Sequence, residues 1–93
     1  MSKIDELRKY SNYNLVKEKL KKYGINDVLI STRKDKKYMI IHNNKKIHFG
    51  AFGMEDATKH YDLIRIKNFK TRNASWKDAP KYSPAWLSYH GLW

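Results

Sequence analysis

The chain has 93 residues, carries 20 Lys and Arg against 9 Asp and Glu, and has a formal charge of +11. That length sets a single domain with a modest core, and seven Tyr, three Trp and three Phe argue against a disordered chain. The lack of cysteine removes disulfides, thiolate metal sites and a Cys nucleophile together, and no apolar run approaches the roughly 20 residues of a membrane span.

The first ten residues are charged and have no apolar core segment, so no signal peptide is expected. Residues 1–10 read as a short, frayed lead-in helix with Ile4 and Leu7 one turn apart. A firmer helix follows, capped by Asn12 or Asn14, with Tyr13, Val16, Leu20 and Tyr23 on one side. Lys17, Lys19, Lys21 and Lys22 crowd the rest of its surface, and Gly24 is placed to stop it.

Three strands are predicted next, over Val28–Arg33, Lys37–His42 and Lys46–Gly50. Arg33–Lys37 and Asn43-Asn44 are turn-like connections, and Asn tolerates positive φ, so the strands form an antiparallel meander. Gly50 and Gly53 are read as strand terminators. Met54 to about Arg72 is the longest helical span, with Ala57, Tyr61, Ile64 and Asn68 as its stripe, widened by Ile66 and Phe69. Glu55 and Asp56 begin it and Lys67, Lys70 and Arg72 end it, in keeping with the helix dipole.

Residues 73–93 form a Pro-punctuated, Trp-rich tail. Ser83-Pro84 is a good N-cap and first-turn pair, so Ser83–His90 is expected as a short helix stopped by Gly91. Trp76, Trp86, Leu87, Tyr89, Leu92 and Trp93 are too many large apolar groups to leave in water, so the tail is expected to pack back onto the body. The expected architecture is α+β in one domain over 1–93: N-terminal helix, three-stranded antiparallel β-meander, long helix, and a tail with a short helix.

Four segments carry a family likeness: KYGI (Lys22–Ile25), STRKDKKYMI (Ser31–Ile40), KKIHFGAFGMEDATKHYD (Lys45–Asp62), and Trp76 with PAWLSYHGLW (Pro84–Trp93). Through them the chain resembles a family of small basic proteins encoded by large double-stranded DNA viruses of the giant-virus group. The resemblance implies a viral source, with a virion or intracellular viral-factory location, and brings no established activity. The shorter segment DAPKYSPAW (Asp78–Trp86) is similar to part of the archaeal chromosomal protein MC1, a basic DNA-bending protein.

Self-repulsion at this charge density costs stability, and such charge is usually kept for a polyanion. The cations fall in groups. Arg33, Lys34, Lys36 and Lys37 occupy one hairpin tip, and Lys45 and Lys46 flank the other turn. Arg65, Lys67, Lys70, Arg72 and Lys77 lie in residues 63–77, which contain no acid. These eleven are the candidate phosphate contacts. Against them stands the plain alternative of a solvated charged surface.

Tyr10, Tyr13, Tyr23, Tyr38, Trp76, Tyr82 and Trp86 interleave with the basics. They would stack on bases if exposed, but a sheet of three strands needs most of them as core. His42 and His48 flank a hairpin and His60 follows on the helix, an order found in ββα-metal nucleases. The carboxylate and second histidine that such a site needs are missing from the pattern. HFGAFG (His48–Gly53) lacks the Lys-Ser/Thr of a phosphate loop.

The expectation is therefore a non-enzymatic protein that binds nucleic acid, with DNA favoured, mainly through phosphates, in a genome-associated or packaging role. No cofactor, metal or membrane contact is expected. The rivals are a virion structural protein held by protein partners through the Trp-rich tail, and the metal nuclease.

Overall fold

The computed structural model describes residues 3–93. Met1 and Ser2, the start of the expected lead-in helix, lie outside the described residues. The order is α1 (Lys3–Leu7), α2 (Tyr13–Lys21), β1 (Leu29–Ile30), β2 (Lys36–His42), β3 (Lys45–Ala51), α3 (Ala57–His60), α4 (Leu63–Arg72), a 3-10 helix (Ala74–Asp78), α5 (Pro84–Leu87) and a π-helical turn (Ser88–Leu92). The fold is α+β.

Local chemistry sets most boundaries. The Asn12 side chain accepts from the Leu15 amide, which caps α2, and Gly24 leaves it at φ +81°. Asn43 and Asn44 both take positive φ, +52° and +64°, the geometry of a two-residue type I′ hairpin turn. That turn sets the register of β2 against β3, from His42 opposite Lys45 to Lys36 opposite Ala51. On the other edge Ile30 faces Tyr38. The sheet is antiparallel in the order β1-β2-β3. β1 is only two residues long, although the Ser31 amide just beyond it still donates to the Lys37 carbonyl at 3.1 Å.

The core gathers Leu7 of α1, Val16 and Leu20 of α2, Val28 just before β1, Tyr38, Ile40 and Phe49 of the sheet, and Trp86, Leu87 and Leu92 of the tail. Each fully buried side chain of this size contributes about 1.5–3 kcal/mol. The tail is therefore part of the core, as its apolar content required, and Trp86 cannot serve as an exposed interface anchor.

Three expectations change in detail. Gly50 does not end β3, which runs on to Ala51. Its φ of +82° instead brings the backbone under Leu92, whose Cδ1 would sit 2.9 Å from an added Cβ. Gly91 does not stop the tail helix. It lies within the π turn, where an added Cβ would meet Leu20 at 3.0 Å, so it lets the tail close onto α2. Finally, the helical span from 54 to 72 starts late and is divided. Asp56 caps α3, Tyr61 takes φ +48°, and Asp62 caps α4 by accepting from the amides of Ile64 and Arg65. Capping side chains offer the backbone a competing bond, and here two of them reset the helix. The expected stripe is lost with that reset: Ile64 is 73% exposed and Tyr61 72%.

No helix among the described residues is long and apolar enough to cross a membrane.

Candidate functional site

α4 is the longest helix and has no buried residue. What holds it to the body is aromatic: Phe69 stacks on Trp93 at 4.3 Å and 7°, and meets Trp76 edge-on at 5.7 Å. Between α4 and the sheet lies an open cleft of about 1020 Å³. Arg65, Asn68, Phe69 and Arg72, spaced at helical intervals, form one wall, continued by Asn73 and Trp76. Lys36, Gly50 and Ala51 supply the wall opposite, with Pro84, Ala85 and Ser88 of the tail. The buried members of the lining, Phe49, Leu92, Lys37 and Asp56, are its floor. Cations at the mouth, neutral amides along one wall and aromatic faces inside suit an anion that carries flat apolar groups. Glu55 is exposed and also lines the cleft.

The eleven candidate cations divide. Lys36, Arg65 and Arg72 line the cleft, Lys36 on the sheet side and the two arginines on α4. Arg33 and Lys46 converge elsewhere, around His48, together with Lys3, which sequence reasoning did not single out. There Ser31 Oγ accepts from the Arg33 amide at 3.0 Å and lies 2.6 Å from His48 Nδ1, while Lys3 Nζ donates to the Ser31 and Arg33 carbonyls. Burial, then Arg33, Lys46 and Lys3, hold the His48 imidazolium below its ordinary range. Arg33 also pairs with Asp35 at 3.3 Å, which screens part of its charge. Lys34, Lys45, Lys67 and Lys77 are exposed. Lys70 is half-buried, its Nζ 5.4 Å over the Tyr89 ring, on the side of α4 away from the cleft walls.

Lys37 leaves the set. It is 2% exposed and its Nζ donates to Asp56 Oδ2 at 2.9 Å, so a phosphate cannot reach it. Its tip position in the sequence is misleading, because β2 is covered on both faces there.

The aromatics are mostly structural. Tyr38 and Trp86 are buried, Tyr13 stacks on Tyr38 at 5.5 Å, and Tyr82 stacks on His42 at 3.9 Å. Trp76 remains half-buried in the cleft wall. The three histidines part company: His42 lies against Tyr82, His48 against Ser31, and His60 against Trp93, with His60 Nδ1 accepting from the Asp62 amide at 2.8 Å. Burial, then Arg65, lower the His60 pKa. Among the described residues no three His, Asp or Glu side chains gather as a metal site would require.

Fold and cleft thus define a small α+β domain with a basic, aromatic-lined groove. Residues 27–73 match DUF5754, a family of unknown function, and the chain belongs to that family. The matched span holds the sheet, α3 and α4, and so the cationic walls of the cleft, but neither α2 nor the tail. No curated protein and no solved structure matches the chain.

Proposed function

We propose that this protein binds nucleic acid, DNA ahead of RNA, without catalysing a reaction, and that phosphates supply most of its contacts. The observation that carries this is α4. It exposes Arg65, Lys67 and Arg72 beside an aromatic-lined cleft, buries nothing, and begins a stretch of fifteen residues, 63–77, without an acid. A helix that contributes so little to the core is placed to contribute to a partner. Phosphate contacts of this kind position a duplex or strand and carry little sequence information. The resemblance to giant-virus proteins supports a viral genome as the polyanion, and a genome-associated or packaging role.

The test is a binding titration of duplex DNA, single strands and RNA across salt concentrations. Log affinity should fall linearly with log salt, with a slope of about −0.9 per phosphate neutralised on duplex and about −0.7 on single strands. Absence of binding to all three at low salt would end the proposal.

A second reading, a virion structural protein held by protein partners, draws on a different observation. Tyr61, Leu63 and Ile64 are large apolar side chains at least 72% exposed where α3 gives way to α4, and Met54, just before α3, is 64% exposed. Under that reading Leu63→Lys with Ile64→Lys abolishes particle incorporation and spares DNA binding.

A further inference from the structure

On the far side of α4 from the cleft, α2, α4 and the tail border a small open pocket of about 160 Å³. Three cations line it: Lys19 and Lys22 from α2 and Lys70 from α4. Its aromatic walls are Tyr23, Tyr89 and His90, and Trp93 is shared with the cleft.

The walls are fixed. His90 Nε2 lies 3.2 Å from the Lys77 carbonyl and so donates to it. His90 Nδ1 is then the acceptor for the Tyr23 hydroxyl, also at 3.2 Å. Tyr23 and His90 both pack on Trp86, which belongs to the core. Lys70 Nζ rests over the Tyr89 face. The pocket is thus pre-shaped, with its cations on flexible stems and its aromatic walls held.

The charge in it is not neutralised. The ion pairs among the described residues engage Arg8, Arg33 and Lys37, none of them in the pocket. Lys19 feels both Lys70 and Lys22; the one acid that acts on it is Asp56, already held by Lys37. Burial and these two neighbours push the Lys19 ammonium below its ordinary pKa. Like charges held together in a partly dry concavity are stabilised by an anion that comes between them. That volume is ample for one tetrahedral oxyanion set among the three ammonium groups.

We infer that Lys19, Lys22 and Lys70 form a phosphate-binding pocket that seats a single phosphate group, separate from the cleft. The pocket rests on the nucleic-acid reading only for the source of that phosphate, a backbone diester or a strand terminus.

The experiment is an amide NMR titration of the whole chain with inorganic phosphate at constant ionic strength, with chloride as reference. Saturable shifts should centre on Tyr23, Lys70, Tyr89 and His90. The double variant Lys19→Gln, Lys22→Gln keeps the side-chain stems and should weaken phosphate at least about tenfold, the equivalent of one charged hydrogen bond. Lys9→Gln with Lys21→Gln removes the same charge from exposed positions outside the pocket and should leave affinity unchanged. Equal weakening in both double variants, or no saturable shift, overturns the pocket. A short oligonucleotide carrying a 5′-phosphate, compared with its 5′-hydroxyl form, then identifies the source. Preference for the former assigns a terminal phosphate; equal binding that still depends on Lys19 and Lys22 assigns a diester. Phosphate binding without oligonucleotide binding keeps the pocket and overturns the nucleic-acid reading instead.

Discussion

Lys37 Nζ donates to Asp56 Oδ2 at 2.9 Å, with side chains 2% and 1% exposed, so the ion pair joins β2 to the cap of α3 inside the protein. Asp56 Oδ1 accepts from the amide of Thr58 at 3.0 Å and from its hydroxyl. Thr58 Oγ1 lies 3.2 Å from Ser11 Oγ, which accepts from the Tyr38 hydroxyl at 2.7 Å. One connected polar network therefore ties the N-terminal segment, the central strand and α3. Removing one partner of such a pair leaves the other charge buried and alone. Asp56→Ala and Lys37→Met should each cost about 3–5 kcal/mol in urea unfolding. Lys37→Met combined with Asp56→Leu should recover part of that loss. None of these should change the salt slope of DNA binding at temperatures where the protein is folded.

That pair also marks where the sequence stops being readable. The meander, the Asn43-Asn44 turn, the Asn12 and Ser83 caps and the buried tail follow from local signals: β-branched runs, residues that tolerate positive φ, side chains that accept from helix N-termini, and apolar content. Lys37 reads as one more hairpin cation because its partner is 19 residues away. The break at Tyr61 is hidden for a related reason. Asp56 and Asp62 suit the first turns of helices, but only the folded chain shows each of them as a cap, with Asp56 also answering Lys37. The cleft and the lysine pocket need α4 to be placed against the sheet and α2, and that depends on Phe69 meeting Trp93, a contact no periodicity announces.

Gly50 and Gly24 separate strain from crowding. Both have positive φ, +82° and +81°, but an added Cβ at Gly24 meets nothing within 4 Å, whereas at Gly50 it meets Leu92 at 2.9 Å. Gly24→Ala should cost only the left-handed backbone term, about 1 kcal/mol. Gly50→Ala adds overpacking between the sheet and the tail and should cost about 2–4 kcal/mol. Equal losses in chemical unfolding would refute the close approach of Leu92.

Tyr61 holds a left-handed conformation at φ +48° while 72% exposed, so its ring gives little packing in return. Tyr61→Asn tolerates that φ and should stabilise the protein by about 0.5–1 kcal/mol. If the ring serves a partner instead, the same variant should weaken binding while raising the melting temperature. A fall in melting temperature would contradict the conformation.

Arg65 and Arg72 lie on the same wall of the cleft, seven residues apart on α4. If phosphates lie there, Arg65→Ala and Arg72→Ala should each lower affinity and reduce the magnitude of the salt slope by about 1. Both side chains are exposed, so unfolding curves should barely move. A variant that loses affinity with the slope unchanged would place that arginine off the phosphate path.

Acid should act through His48 and His60, both held below the ordinary imidazole range in the folded chain, by burial first and neighbouring cations second. An unfolded histidine takes its proton near about pH 6.5. Between that value and the lower folded one, the unfolded chain binds more protons, so stability rises with pH through that window. It should be complete above about pH 6.5 and fall as the solution is acidified below it. For His60 the loss is direct, because a proton on Nδ1 removes the acceptor of the Asp62 amide. Thermal unfolding should show a plateau at neutral pH and a decline below it, and His48→Gln with His60→Gln should flatten that decline. Nucleic acid should act in the opposite direction. Phosphates at Arg33, Lys46 and Lys3 would raise the His48 pKa, and phosphates at Arg65 would raise that of His60. NMR titration of the two rings with DNA bound should therefore report which cationic surface is occupied; if neither pKa moves, bound DNA lies on neither.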